Sequence, residues 1–132
     1  VMPKYFYGLI FASFCSLAVS AQTIYDASGR VVARVYGDYI RSGSGVTLGR
    51  LDRENIYDAS GRKMGWTNSD RGYDESGKSL GRIDGDRIYD YTGRSIGRVD
   101  GENYYDDTGR KIGRADGGRR RTAILFFYFF FY

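Results

Sequence analysis

The sequence contains no histidine, and it has only one cysteine, one proline and one tryptophan in 132 residues. Without histidine the chain lacks the commonest general base and the commonest metal ligand of proteins. The single cysteine, Cys15, lies in an N-terminal apolar run, so the rest of the chain has no thiol for a disulfide, a zinc finger or thiol catalysis. We therefore expect no catalytic residues, no metal site and no cofactor, and we expect that the protein is not an enzyme.

The charged residues also exclude one class of partner. The net charge is +4, from 20 Lys and Arg against 16 Asp and Glu, and the two signs alternate along the chain. A nucleic-acid-binding protein usually concentrates its basic residues on one face or along one helix. Because no such concentration exists in this sequence, we expect no nucleic-acid partner.

Residues 1–21 have the pattern of a secretory signal peptide. Lys4 gives a short positive region, residues 5–19 are almost wholly apolar, and small residues at 19–21 offer a cleavage site. Two other interpretations are a transmembrane helix, for which the run is short, and a lipoprotein anchored through Cys15. The sequence favours export to the periplasm, the cell envelope or the outside of the cell, where a cysteine-free mature chain is suitable.

The body of the chain, residues 22–119, is a repeat with a period of sixteen residues. Its unit is Ile-Tyr-Asp-x-Ser/Thr-Gly-Arg-x-Ile-Gly-Arg-x-Asp-Gly-Asp/Glu-x, and six copies follow one another from residue 24 to residue 119 without insertion or deletion. The unit divides into halves of eight residues, each with a Gly that suits a tight hairpin turn. Such a fixed short period predicts a fold built from one repeated supersecondary unit, here the β-hairpin.

The repeat predicts an all-β fold, a closed and shallow antiparallel meander barrel of about twelve short strands. With three-residue loops on both sides of each strand, Ile88 would face Ile96, and Ile96 would face Tyr104. Arg98 would then lie between acidic residues of its two neighbouring strands. The predicted interior residues are Ile24, Val32, Ile40, Leu48, Ile56, Met64, Leu80, Ile88, Ile96, Tyr104 and Ile112.

The opposite face is predicted to carry a row of aromatic rings. The residues concerned are the repeat tyrosines Tyr25, Tyr57, Tyr73, Tyr89 and Tyr105, with Gly49, Gly65, Gly81, Gly97 and Gly113 on the strands between them. The rings either cover the backbone of these glycines or form a binding surface for sugars or lipid headgroups. Trp66 replaces an Arg of the repeat on the expected apolar face, and the sequence indicates no role for it.

Residues 120–132 form a basic and then aromatic tail. Its apolar residues are Ala123, Ile124, Leu125, Phe126, Phe127, Tyr128, Phe129, Phe130, Phe131 and Tyr132. The tail is too short to span a bilayer as a helix. Three interpretations remain open: a plug that fills the lumen of the barrel, an anchor in the membrane interface, and an unstructured extension.

The repeat, the signal peptide and the Arg-then-Phe tail together resemble the bacterial β-flower proteins. This resemblance implies a shallow, radially symmetric barrel of repeated hairpins without an assigned activity. The outline is also similar to the Tubby C-terminal barrel, which surrounds a hydrophobic helix and binds phosphoinositide headgroups or membranes. The Tyr-Asp-x-x-Gly-Arg core is similar to YD (RHS) repeats, whose periods are longer.

Two functions follow as hypotheses. The first is a non-catalytic cell-envelope barrel that acts as a scaffold or at a membrane surface, with lipid as its partner. The second is a secreted module that binds carbohydrate or cell-wall glycan through the repeat tyrosines. The sequence does not determine the ligand or the oligomeric state.

Overall fold

A computed structural model describes residues 22–117 and 120–132 of the chain. The predicted signal peptide, residues 1–21, lies outside the described residues, as do residues 118 and 119 at the end of the repeat. Export therefore stays a prediction.

Twelve short strands form one closed antiparallel barrel, in which each strand pairs with its neighbours in sequence and β1 pairs with β12. The strands are β1 Gln22–Asp26, β2 Val31–Tyr36, β3 Tyr39–Ser42, β4 Thr47–Asp52, β5 Asn55–Asp58, β6 Lys63–Asn68, β7 Arg71–Asp74, β8 Ser79–Asp84, β9 Arg87–Asp90, β10 Ser95–Asp100, β11 Asn103–Asp106 and β12 Lys111–Ala115. The predicted all-β meander barrel is confirmed. Closure leaves no unpaired edge strand, which an open meander of this length would expose.

Three-residue loops close the hairpins at one end of the barrel, which we name the long-loop end (27–29, 43–45, 59–61, 75–77, 91–93 and 107–109). In the loop after β9, the Gly93 N–H donates to the Asp90 carbonyl, and the Asp90 N–H donates to the Arg94 carbonyl. Gly93 has φ +87°, a left-handed conformation that glycine adopts without steric cost. These loops are the predicted type, and the Asp-x-Ser/Thr-Gly motif produces them.

Two-residue loops close the hairpins at the other end, the short-loop end (37–38, 53–54, 69–70, 85–86 and 101–102). The register pairs Asp100 with Asn103 and Val99 with Tyr104. The predicted three-residue loop at 99–101 is therefore wrong, and Arg98 faces Tyr105 rather than Glu102. The two ends of the barrel have loops of different lengths.

A β-bulge next to every three-residue loop keeps equivalent residues of successive repeats on the same face of the sheet. Without it, one two-residue and one three-residue loop per repeat would invert the two faces from each repeat to the next. Tyr89 pairs with Ser95 as predicted, but Ile88 then pairs with Gly97, and Ile96 is the extra residue. A bulge places two residues opposite one, so it inverts the alternation of faces beyond it. Equivalent bulge residues in the other hairpins are Val32, Leu48, Met64, Leu80 and Ile112.

The interior is therefore only partly the one that the sequence predicted. The predicted interior residues of the short strands are buried: Ile24, Ile40, Ile56, Ile88 and Tyr104. The six bulge residues are only half-buried, and the inward positions of the long strands belong to other residues. One set is Ala33, Gly49, Gly65, Gly81, Gly97 and Gly113, and the other includes Leu51, Thr67, Ile83 and Ala115. The prediction that these glycines share the outer face with the tyrosines is wrong, because the bulge turns them inward.

The tail enters the barrel and fills its lumen. A short helix, α1 (Arg120–Ile124), continues directly into a π-helical segment (Leu125–Phe130). The side chains of Thr122 and of residues 123–127 are buried, and Ile124 has no exposed surface. A barrel of twelve strands is too wide for its own side chains to fill, so this segment supplies the centre of the hydrophobic core.

Each long loop except 43–45 is capped by an aspartate carboxylate. Asp90 Oδ1 accepts hydrogen bonds from the Thr92 hydroxyl at 2.6 Å, from the Thr92 N–H at 2.9 Å and from the Arg94 N–H at 3.1 Å. The same arrangement recurs at Asp26, Asp58, Asp74 and Asp106. The hydroxyl hydrogen bond is the main cause that lowers the pKa of these carboxyls below the ordinary value of 3.8, although they are exposed.

This capping predicts acid sensitivity. A pKa that is lower in the folded state contributes stability above the unfolded value near 3.8, and that contribution is lost as the pH falls through the folded pKa. We expect the melting temperature to fall as the pH is lowered from 4 to 2. In a Thr92→Val variant, NMR titration should show a higher pKa for Asp90 and an unchanged pKa for Asp106. Equal titration of Asp90 in both proteins would contradict the assigned role of the hydroxyl.

Candidate functional site

The repeat tyrosines lie on the outer wall of the barrel, as predicted, and they are half-buried. Four of the five are covered by an arginine from the preceding strand of the barrel. The guanidinium carbon lies 4.0–4.6 Å from the ring centroid in the pairs Arg114–Tyr25, Arg50–Tyr57, Arg82–Tyr89 and Arg98–Tyr105. These are cation–π contacts, so the rings pack against arginine and not against the backbone of glycines.

Three of these four arginines, Arg82, Arg98 and Arg114, also form ion pairs along the wall. Arg82 Nη1 lies 3.1 Å from an Asp84 carboxylate oxygen, and Arg114 Nη1 lies 3.0 Å from Asp116. In both pairs the acid is two residues further on in the chain, instead of on a neighbouring strand as predicted. Among the described residues there is one cross-strand pair, Arg114 with Glu102 at 4.0 Å. Such exposed pairs contribute little to stability, but they neutralise much of the positive charge of the wall.

The fifth tyrosine, Tyr73, is covered by Trp66 instead of arginine. The two ring centroids are 5.2 Å apart and the planes differ by 20°, which is a stacked geometry. Trp66 therefore lies on the outer wall, and the prediction that it lies on the apolar face is wrong because the bulge at Met64 inverts the alternation. Lys63 and Asn55 lie nearby and line an open groove with it.

Aromatic rings of the tail pack directly on the inward glycines. A Cβ at Gly97 would lie 2.9 Å from the Phe127 ring, and a Cβ at Gly49 would lie 2.8 Å from the Phe130 ring. Gly81 likewise lies against Tyr128, whose hydroxyl is 2.5 Å from the Tyr89 carbonyl oxygen and 3.0 Å from that of Arg82. Burial raises the pKa of Tyr128 to about 12. The glycines are thus places where the plug approaches the strands closely.

The tail crosses the lumen from the short-loop end to the long-loop end. Arg121 donates a hydrogen bond to the Arg53 carbonyl in a short loop, and Thr122 donates one to Gln22 at the start of β1. At the far end, the Tyr132 hydroxyl donates to the Ile96 carbonyl at 3.3 Å. Of the three interpretations of the tail, the lumen plug describes its position.

Three of the five exposed large hydrophobic residues in the described part of the chain lie at the long-loop end. Val46 is 63% exposed, Tyr91 is 71% exposed and Tyr132 is 60% exposed. Val46 and Tyr91 belong to loops three hairpins apart, hence on opposite sides of the ring, and Tyr132 ends the plug that crosses the lumen. Tyr36 and Tyr39, each 44% exposed, flank a loop at the opposite end.

Within residues 22–117 and 120–132, no group of three or more His, Cys, Asp or Glu side chains could hold a metal ion. No described helix is long and apolar enough to cross a membrane. A cavity of about 180 Å³ lies where the tail enters, next to Gln22, Leu51 and Thr122. It is smaller than the usual pocket for a small-molecule ligand.

The architecture is that of a closed twelve-strand antiparallel barrel whose lumen holds its own C-terminal segment. The chain belongs to the 5-fold beta-flower protein family, whose profile matches residues 21–131, so the resemblance of the repeat is confirmed. No curated protein and no solved structure matches the chain significantly. Five of the six hairpin copies carry the repeat tyrosine, and the second copy has Arg41 at that position.

Sequence reasoning did not single out the arginines that cover the tyrosines, nor the exposed residues of the long-loop end. A signal for the latter was available: Val46 follows its loop where five other copies have Arg or Lys. Tyr91 opens its loop where the other copies have Ala, Gly, Glu or Asp. Large apolar residues at turn positions are unusual, and they mark candidate interaction sites.

Proposed function

We propose that this protein is a non-catalytic, exported cell-envelope barrel that acts at a membrane surface through its long-loop end. The observation that carries this proposal is the exposure of Val46, Tyr91 and Tyr132 at that one end. Tyrosine is favoured at membrane interfaces, because its ring is apolar while its hydroxyl stays hydrated. Export rests on the signal-like pattern of residues 1–21.

The balanced charges at the long-loop end allow contact with both zwitterionic and anionic lipid headgroups. A basic residue follows five of the six loops: Arg30, Arg62, Lys78, Arg94 and Arg110. The five capping aspartates balance these charges formally, and hydrogen bonds hold their carboxylates against their own turns. Binding should therefore depend on the apolar residues more than on anionic lipid.

The position of the tail determines which of its residues can contact a membrane. Residues 123–127 are buried inside the barrel, where they support the fold, so they are not a free membrane anchor. Exposure increases toward the end of the plug: residues 128–131 are half-buried and Tyr132 is 60% exposed. The proposed contact thus combines two loop regions and the end of the plug at one end of the barrel.

Vesicle sedimentation tests this proposal. Wild-type protein is expected to sediment with phosphatidylcholine vesicles, and added phosphatidylglycerol should change this little. Combined Val46→Ser and Tyr91→Ser substitutions should weaken binding by about tenfold or more, since each removes apolar surface worth more than about 1 kcal/mol. Tyr36→Ser with Tyr39→Ser, at the opposite end, is the matched control and should bind like wild type. Equal binding by both double variants would refute the proposed face.

The alternative function, glycan binding through the repeat tyrosines, is favoured at one position only. Four of the five rings lie under arginine side chains. The exception is the position of Trp66, where an aromatic ring borders an open groove.

A further inference from the structure

One outer-wall position distinguishes a single hairpin from the others. The residues at this position in the six long strands are Arg34, Arg50, Trp66, Arg82, Arg98 and Arg114. Trp66 is the only aromatic one, and it replaces an arginine that covers a tyrosine in four of the other five strands. Tyr73, on β7, covers one face of the Trp66 ring.

An open groove lies on the side of Trp66 away from Tyr73, between β5 and β6. It has a volume of about 510 Å³, and we name its lining residues, Arg53, Glu54, Asn55, Lys63 and Trp66, the Trp66 groove. Asn55 is the direct register partner of Trp66, and Lys63 Nζ lies 5.2 Å from the centre of the Trp66 ring. The groove thus has one aromatic ring and four polar or charged side chains, a composition that suits a polar ligand rather than an apolar one.

A second departure from the repeat occurs in the same groove. Arg53 occupies the first position of a short loop, where three other loops have glycine, and it has φ +56°. A left-handed conformation is unfavourable for a residue with a side chain. Arg121 of the tail donates a hydrogen bond to the Arg53 carbonyl, which helps to hold this backbone in place. Two unusual residues, Arg53 and Trp66, thus line one groove.

The lining chemistry narrows the class of ligand. Arg53 and Lys63 disfavour a cation, and Glu54 disfavours a simple anion. Together with the Asn55 amide these groups supply both donors and acceptors, which suits a neutral ligand with many hydroxyls. Trp66 supplies a flat apolar surface for the C–H face of such a ligand once the flexible Lys63 side chain, whose Nζ lies over the ring in a cation–π contact, moves aside to bond a hydroxyl.

We propose that the Trp66 groove binds one pyranose unit of a glycan, stacked on Trp66 and hydrogen-bonded by Arg53, Glu54, Asn55 and Lys63. The site differs from a general binding surface of repeated tyrosines, because it depends on Trp66, the one aromatic residue at its position in the six long strands, and on the groove beside it. It is also separate from the proposed membrane face, so the two proposals can fail independently.

The tryptophan itself gives the measurement, because it is the only one in the chain. Chitopentaose and cellopentaose are the two probes, and titration with at least one of them should change the Trp66 emission in a saturable way. In Trp66→Arg, which restores the residue of the other five copies, calorimetry should show binding weakened by about tenfold or more. Glu54→Ala, an exposed change, should weaken binding several-fold. Arg82→Ala, at the same position of another strand, should leave it unchanged.

Each other outcome refutes the site. If neither probe changes the emission at millimolar concentration, the groove is not a glycan site. If Trp66→Arg and Glu54→Ala both bind like wild type, or Arg82→Ala is weakened equally, the glycan binds elsewhere on the wall. Vesicle binding by Trp66→Arg should equal that of wild type.

Discussion

Deletion of residues 123–132 is expected to unfold the barrel. Ile124, Leu125, Phe126 and Phe127 are almost fully buried, and burial of each such side chain contributes roughly 1.5–3 kcal/mol. Their sum, about 6–12 kcal/mol, equals the whole stability of a typical domain. Circular dichroism and size-exclusion chromatography should show an unfolded or aggregated chain.

Point variants test whether the close packing of the plug, and not only its presence, stabilises the barrel. Phe127→Ala should lower the free energy of unfolding by about 3–5 kcal/mol, as expected for a buried Phe. Tyr132→Ala, at the exposed end of the same segment, should change it by less than about 1 kcal/mol. A truncated protein that stays monomeric with an unchanged melting temperature would show that the tail is not part of the core.

Substitution of Gly113 by alanine is expected to destabilise the fold by about 1–3 kcal/mol or more. A Cβ at this position would lie 2.6 Å from the Tyr25 carbonyl oxygen of β1 and 3.1 Å from the Phe126 ring. Neither neighbour moves easily, because the first belongs to the pairing that closes the barrel and the second to the plug. Denaturant unfolding gives the free energy directly.

The chain offers a matched control at the same position of another hairpin. Ala33 is the equivalent residue in β2, fully buried and pairing with Ile24 across the bulge. Ala33→Gly should cost no more than about 1 kcal/mol, the usual effect of glycine in a strand. If Gly113→Ala is as mild as Ala33→Gly, close packing of the plug on the glycines is not important for stability.

The sequence predicted the number of strands and the order of pairing because the sixteen-residue period is a local property. Each Asp-x-Ser/Thr-Gly turn forms within five residues, so a motif such as residues 90–94 identifies its hairpin without reference to the rest of the fold. Closure of β1 on β12 followed from the need to remove free edges. The outer position of the repeat tyrosines followed from the alternation along the short strands.

The bulges could not be predicted from the same pattern, because Ile96-Gly97 suits a regular strand as well as a bulged one. The bulge depends on two conditions outside the hairpin: the unequal loop at residues 101–102 and the aromatic ring of Phe127 that needs space at Gly97. Without it, the predicted alternation placed Trp66 inside and Gly97 outside. The error at Trp66 hid its groove, since the predicted alternation turned the ring into the barrel and away from the outer wall.

The pairing of β1 with β12 sets the order in which the molecule can be completed. Eleven of the twelve strand pairings join neighbours along the chain, and such local contacts form quickly. The closing pair, Ile24 with Ala115, and the plug that follows it join the chain across almost the whole repeat. During synthesis the hairpins therefore emerge one by one with their apolar faces uncovered, and the plug follows them. Residues 123–132 then join the twelve strands into one cooperative domain.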